Sequence, residues 1–216
     1  MTTIAQQVEE MRASRPPRPA GEPPSPFEQE QSRLAAAGVP DGVLAVGSQL
    51  VDVDLLDVNG APTTLFSTLG DKTSVVVLYR GEWCPFCSIA LRTYQAELVP
   101  ALKQLDAHLV ALSPQRPDGS LSTKEKNSLS FTVLSDPGNQ LARQLGVVMA
   151  PSEAALAAQR SHGLDLAERN ADGTAELPMP TVLVVDENHV VCWIDVHPDY
   201  TTRSEPNEII DALEAL

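Results

Sequence analysis

The chain has 216 residues, 43% of them hydrophobic and 20% charged, a formal net charge of -14 and three cysteines. This balance suits one soluble globular domain with an extension, and the acidity argues against nucleic acid and against an anionic membrane surface. No apolar run is long enough to span a membrane, no basic-then-apolar leader opens the chain, and three cysteines make no disulfide framework, so the expected location is cytoplasmic.

Residues 1–43 read as an N-terminal helical, proline-rich arm. Ile4, Val8 and Met11 recur at helical spacing, the stretch from Arg15 to Pro26 is too rich in proline for a regular helix, and Phe27 to Ala37 forms a second helix ended by Gly38 and Pro40. The arm has no core of its own. Residues 44–216 read as an α/β domain. Leu50 to Leu55 alternates apolar and acidic, as a half-buried strand does, and Asn59-Gly60 signals a hairpin into Thr63–Phe66. Ser74–Tyr79 reads as a central strand, followed by a helix from about Pro85 to Leu105 and a buried strand at Leu109–Leu112. A short helix at Ser122–Ser128, a strand at Phe131–Leu134 and a helix from Gly138 to Leu145 come next. An Ala-rich helical insert covers 152–161. Strands at Thr181–Val185 and Val190–Ile194 flank an Asp186-Glu187-Asn188 turn, and a last helix runs from Pro206 to Leu216 with Ser204 as its expected cap.

The most informative residues are Tyr79-Arg80-Gly81-Glu82-Trp83-Cys84-Pro85-Phe86-Cys87, which follow the apolar run Val75–Leu78. Two cysteines three apart at a strand end and a helix start sit where unpaired N–H groups and the helix dipole favour a thiolate. Pro85 suits the first helical turn. The thiolate is the nucleophile of disulfide exchange and of peroxide reduction, so the pair reads as redox-active. Structural zinc would need four ligands, and no second CxxC or spaced His pair is present; none is expected, nor any cofactor. Cys192, with Val190 and Ile194 taken to share its face, reads as a small buried hydrophobe. His197 has no partner visible in the sequence, and nothing singles out Glu82 or Glu97 for proton transfer.

The order of elements matches the thioredoxin fold, a mixed central sheet flanked by helices with CxxC where the first central strand meets its helix. Met179-Pro180-Thr181 fits the proline that precedes a strand beside the cysteines in such proteins, and cis is the form that resemblance implies. The chain further resembles peroxiredoxin-like proteins of the alkyl hydroperoxide reductase and thiol-specific antioxidant group. The residues that carry this are the Tyr79–Cys87 segment, Ser113-Pro114-Gln115, Leu134–Asn139, Pro178–Thr181 and Asp199–Pro206, so that the likeness runs from about residue 44 to the end. One departure matters: where typical members have Pro-x-x-x-Thr-x-x-Cys, this chain has Arg80 for the proline and Cys84 for the threonine, leaving Cys87 at the peroxidatic position. In thioredoxins the first cysteine attacks, which here is Cys84. Both assignments stay open on sequence alone.

The resemblance implies a thiol-dependent antioxidant oxidoreductase that reduces hydrogen peroxide or organic hydroperoxides through Cys84 and Cys87, passes through a disulfide, and is recycled by thioredoxin or a low-molecular-weight thiol. The alternative is a thiol–disulfide oxidoreductase acting on protein disulfides; a third reading is a redox-responsive binding protein. Peroxiredoxins use an arginine to polarise the peroxide, so the resemblance implies one here, with Arg80, Arg143 and Arg203 as candidates. Arg80 is the catalytic choice, while Trp83, Pro180 and Arg203 are expected to bound the substrate. A homodimer is the default for such a chain.

Overall fold

The computed structural model describes residues 2–14, 16, 19 and 21–216. Arg15, Pro17 and Arg18 of the proline-rich stretch lie outside the described residues. Two arm helices come first, α1 (Ile4–Ala13) and α2 (Pro26–Ala37), followed by a hairpin of β1 (Asp54–Leu56) and β2 (Pro62–Thr64) and by α3 (Leu65–Leu69). Then come β3 (Ser74–Leu78), α4 (Pro85–Thr93), a π-helical segment at Tyr94–Leu98 and α5 (Val99–Gln104). The chain continues through β4 (His108–Ser113), α6 (Pro117–Lys126), β5 (Thr132–Ser135), α7 (Gln140–Gln144), β6 (Val148–Met149), α8 (Glu153–Ser161) and α9 (Leu166–Arg169). It closes with β7 (Leu177–Pro178), β8 (Thr181–Val185), β9 (Val191–Val196) and α10 (Pro206–Glu214).

Seven strands form one mixed sheet in the order β2-β1-β5-β4-β3-β8-β9. Strand β3 lies inside it, parallel to β4 and antiparallel to β8. All five of its residues are buried, because helices cover both faces of the sheet. Alternation then sorts its side chains. Val75, Val77 and Tyr79 join one core with Tyr94, Leu98 and Ile209, whereas Val76 and Leu78 join the other with Leu134, Leu141 and Tyr200. The arm straddles the two. Ile4 and Val8 of α1 sit in the first core and Leu34 of α2 in the second, each contributing about 1.5–3 kcal/mol by burial. Glu205 secures α1, its two carboxylate oxygens accepting from the Ile4 and Ala5 N–H groups at 2.9 Å each.

Several elements depart from expectation for local reasons. Val51–Val53 is not strand; the Asp52 carboxylate instead accepts from Phe66 N at 2.8 Å, at the start of α3. Thr63–Phe66 splits into strand and helix because Thr64 and Ser67 form a reciprocal capping box. Helix α6 begins at Pro117, with proline in its first turn, and not at Ser122. Pro100 has no N–H for the Ala96 carbonyl, and the helix expected over 85–105 passes through a wider π turn just before it. Ser204 does not cap α10; Glu205 does, in a reciprocal box with Glu208. A register shift opposite Val184 and Val185 makes Cys192 the extra residue of a bulge. Cys192 and Ile194 therefore pack on opposite cores, and Cys192 is only partly buried.

No peptide bond among the described residues is cis, so the expectation for Pro180 is corrected. The chain there runs extended from the β6–β7 pair into β8. Met179 N donates to Val147 O at 2.8 Å and Thr181 Oγ1 to Met179 O at 2.9 Å, a path that the trans form follows. No helix among the described residues is long and apolar enough to cross a membrane.

Candidate active site

Strand β3 delivers its chain end to the centre of the molecule, and the next nine residues build the site. Gly81 makes the bend with φ +151°, and a Cβ there would lie 2.5 Å from Trp83 Nε1. Cys84 is the N-cap of α4 and Cys87 its third residue, each 1% exposed. Beneath the loop, buried Gln115 donates to the Tyr79 hydroxyl at 2.9 Å and to Thr123 Oγ1 at 3.0 Å. Its Oε1 accepts the Glu82 backbone N–H at 2.9 Å. That explains Ser113-Pro114-Gln115: the glutamine ties the strand end to the active loop.

Arg203 reaches the thiols from the loop between β9 and α10. Its Nη2 lies 2.9 Å from Cys87 Sγ and 4.0 Å from Cys84 Sγ, and its Nη1 donates to the carbonyls of Tyr200 (2.8 Å) and Thr202 (2.5 Å). The loop is held in turn. Tyr94, in the π turn, donates its hydroxyl to Ser204 O at 2.7 Å, and Ser204 Oγ donates to Asp195 Oδ2 at 2.8 Å. His197 completes the network, with Nε2 2.9 Å from Asp195 Oδ2 and Nδ1 2.7 Å from Thr202 Oγ1. So His197 has partners that sequence reading did not reveal, and they position the arginine loop.

The surroundings act oppositely on the two thiols. Burial alone would push Cys87 up, but the Cys84 S–H, the Arg203 guanidinium, the Arg80 backbone and the Arg80 guanidinium together hold it well below the ordinary thiol range. Cys84 goes the other way: burial and the neighbouring Cys87 charge raise it well above that range, overcoming both arginines. The surroundings thus favour charge on Cys87, the sulfur that Arg203 touches, over charge on Cys84.

The other expected site residues separate. Arg80 is buried, with its guanidinium carbon 4.2 Å from the Tyr200 ring centroid and 5.0 Å from that of Trp83. A groove of about 1010 Å³ between arm and domain is lined by Arg80, Trp83, Cys84, Phe86 and Tyr200, but by neither Cys87 nor Pro180. Pro180 is buried, and its carbonyl accepts the His197 N–H at 2.8 Å. Arg143 lies apart, paired with Glu176. Glu82 would be raised by burial, yet Ser122, Lys126 and Arg169 hold its carboxyl below the usual range. His189 stacks on Phe66 at 3.8 Å, away from the His197 network, and no group of three or more His, Cys, Asp or Glu able to hold a metal occurs among the described residues. Tyr94, Gln115, Asp195 and Ser204 were not foreseen. Gln115 and Ser204 carry a signal, their places in the segments Ser113-Pro114-Gln115 and Asp199–Pro206.

No curated protein matches the chain. Solved structures do match in fold. Peroxidoxin BcpB from Mycobacterium tuberculosis shares 20% identity with a TM-score of 0.60, over 80% of this chain and 98% of that one. Reduced Prx3 from Vibrio vulnificus in complex with hydrogen peroxide shares 19% with a TM-score of 0.63, over 79% and 99%. AhpC from Enterococcus faecalis shares 18% with a TM-score of 0.58, over 79% and 90%. At these identities the likeness is one of fold, the thioredoxin-like fold of peroxiredoxins. The sequence itself matches the AhpC/TSA family over residues 46–194, most of its length. On that match the chain belongs to the AhpC/TSA family, a family of peroxiredoxin-type thiol peroxidases.

Proposed function

We propose that the chain reduces hydrogen peroxide or organic hydroperoxides with Cys87 as attacking thiolate and Cys84 as resolving thiol, and that thioredoxin or a low-molecular-weight thiol recycles it. The observation that carries this reading is the 2.9 Å contact between Arg203 Nη2 and Cys87 Sγ in a buried site whose surroundings disfavour charge on Cys84. In the first step the Cys87 sulfur attacks the terminal peroxide oxygen. The S–O bond forms as the O–O bond breaks, and the leaving alkoxide or hydroxide takes up a proton to become alcohol or water. The sulfur, oxidised by two electrons, is now a sulfenic acid. Arg203 is placed to stabilise first the thiolate and then the charge that develops on the peroxide oxygens. In the second step the Cys84 thiol condenses with the sulfenic acid, forming the disulfide and releasing water. Arg80 and Trp83 bound the approach in this reading, and Pro180 acts through the strand end whose carbonyl holds His197.

A second reading, exchange with protein disulfides, draws on the fact that Cys84 and not Cys87 lines the groove. It requires Cys84 to be the thiolate, the opposite of the charge pattern. The test is stopped-flow tryptophan fluorescence with thiol counting, on pre-reduced protein mixed with stoichiometric hydrogen peroxide. Fast loss of two thiols is expected, with Cys84→Ser leaving a sulfenic acid on Cys87 and Cys87→Ser abolishing the fast phase. Oxidation no faster than that of free cysteine, or a sulfenic acid found on Cys84, would overturn the proposal.

A further inference from the structure

The groove beside Cys84 is lined by a buried guanidinium that makes no ion pair with a carboxylate among the described residues. Arg80 is 6% exposed and its Nε is buried without a hydrogen-bond partner. Among the described residues no carboxylate pairs with its guanidinium, whereas Arg203 has the Cys87 sulfur. The Tyr200 and Trp83 rings fix its position but supply no anion. Keeping a guanidinium out of water without an anion is costly, and the cost is offset when one docks. Arg80 also shares the groove with Cys84, so an anion bound to it lies along the way to that sulfur. Glu22 lines the same groove, which suits a ligand carrying an ammonium as well as a carboxylate.

Access narrows the choice further. Cys84 is 1% exposed, and the arm is tied across the groove by Tyr200 Oη to Phe27 O at 2.9 Å, by Arg12 to Thr201 Oγ1 at 2.7 Å and by Gln31 to Asp199 at 3.0 Å. A protein surface cysteine has no direct route to the sulfur. A thiol small enough to enter the groove meets Cys84 in its lining.

We infer that the groove is the reductant site, where Arg80 binds the carboxylate of a small zwitterionic thiol of the amino-acid or short-peptide class and directs its sulfur to Cys84. The inference rests on the peroxidase reading for its starting state, the Cys84–Cys87 disulfide. The incoming thiolate attacks Cys84 Sγ; a new S–S bond forms, the Cys84–Cys87 bond breaks, and Cys87 leaves as the thiolate that Arg203 receives. A leaving thiol with a low pKa departs faster, which favours attack on Cys84 over attack on Cys87. A second thiol molecule then attacks the ligand sulfur of the mixed disulfide. It releases reduced Cys84 and the ligand as its own disulfide, so that two thiols are oxidised for each protein disulfide reduced.

The test compares free cysteine with cysteamine, which lacks only the carboxylate, as reductants of the oxidised full-length protein, with rates corrected for each thiol's ionised fraction. The disulfide is formed in parallel by hydrogen peroxide and by diamide, so that a failed peroxide step does not silence the reductant test. Free cysteine is expected to saturate and to be faster by roughly tenfold, the worth of one charge-assisted hydrogen bond. Arg80→Met should remove that preference, and Arg80→Lys should restore part of it. The wild-type comparison needs no variant to fold. Equal corrected rates for the two thiols in the wild-type protein, or saturable reduction by thioredoxin with no preference between the small thiols, would overturn the inference.

Discussion

Replacing Arg203 by methionine keeps most of its apolar stem and removes the charge from Cys87. The contact is a charge-assisted hydrogen bond at 2.9 Å, and both partners are buried. Such bonds contribute about 1.5–3 kcal/mol, which is roughly a ten- to hundredfold change in the ratio of thiolate to thiol. The Cys84 S–H and the Arg80 backbone remain, so part of the stabilisation of the thiolate survives. The assay is ultraviolet thiolate absorbance titrated against pH, paired with the rate of peroxide oxidation across the same range. In Arg203→Met the midpoint should move to higher pH, and the rate at neutral pH should fall by at least the loss of thiolate, since the developing oxyanion also loses its donor. Arg203→Lys should recover charge but not the fork that also bonds the Tyr200 and Thr202 carbonyls, giving an intermediate result. A midpoint and a neutral-pH rate both within about twofold of wild type would refute the reasoning, because a contact of this strength cannot be removed so cheaply.

Three further outcomes are expected. Because Cys87 ionises more readily folded than unfolded, its thiolate contributes stability that is fully present above the unfolded thiol's range and is lost as pH falls through the lowered folded value. The urea-unfolding gap between wild type and Cys87→Ser should therefore widen from acid pH towards about pH 9, and a gap independent of pH would sink the assignment. Gly81→Ala forces a side chain onto Trp83 in a backbone conformation that suits glycine; a loss of about 1–3 kcal/mol with altered tryptophan fluorescence is expected, and neither change would mean that the bend tolerates a Cβ. Glu205→Ala removes the acceptor of the Ile4 and Ala5 N–H groups and should cost about 0.5–2 kcal/mol. Faster hydrogen exchange confined to α1 is the matching signature, and unchanged exchange would show that Thr3 and the core contacts hold the helix alone.

What could be read from the sequence follows the range of the interactions. The β3 strand, its β8 partner and the placement of the cysteines at a helix start were legible, because apolar runs, proline and glycine act over a few residues. What sequence does not reveal near the site depends on contacts far apart in the chain. Arg203 and Cys87 are 116 residues apart, and no local pattern marks an arginine whose loop is held by Tyr94, Asp195 and Ser204. The charge split between the thiols likewise depends on which sulfur that loop reaches. Pro180 is trans against the fold analogy, because the chain runs extended from β7 into β8. Cys192 was placed on the wrong face because one bulge residue inverts a period-two pattern. Ser204 looked like a cap in the sequence, but its hydroxyl was already engaged by Asp195 and the cap passed to Glu205.

The π turn at Tyr94–Leu98 makes the spacing along the helix part of the chemistry. Cys87 sits before the wide turn, Tyr94 begins it, and the hydroxyl of Tyr94 fixes the loop that brings Arg203 back to Cys87. Deleting one residue within Tyr94–Leu98 would restore ordinary α-helical winding and rotate the preceding helix by about 100° relative to α5. Every side chain named in the site would still be present, yet the sulfur and the tyrosine could no longer face their partners while α5 stayed seated. A count of residues, invisible in any motif, thus determines whether the motif works.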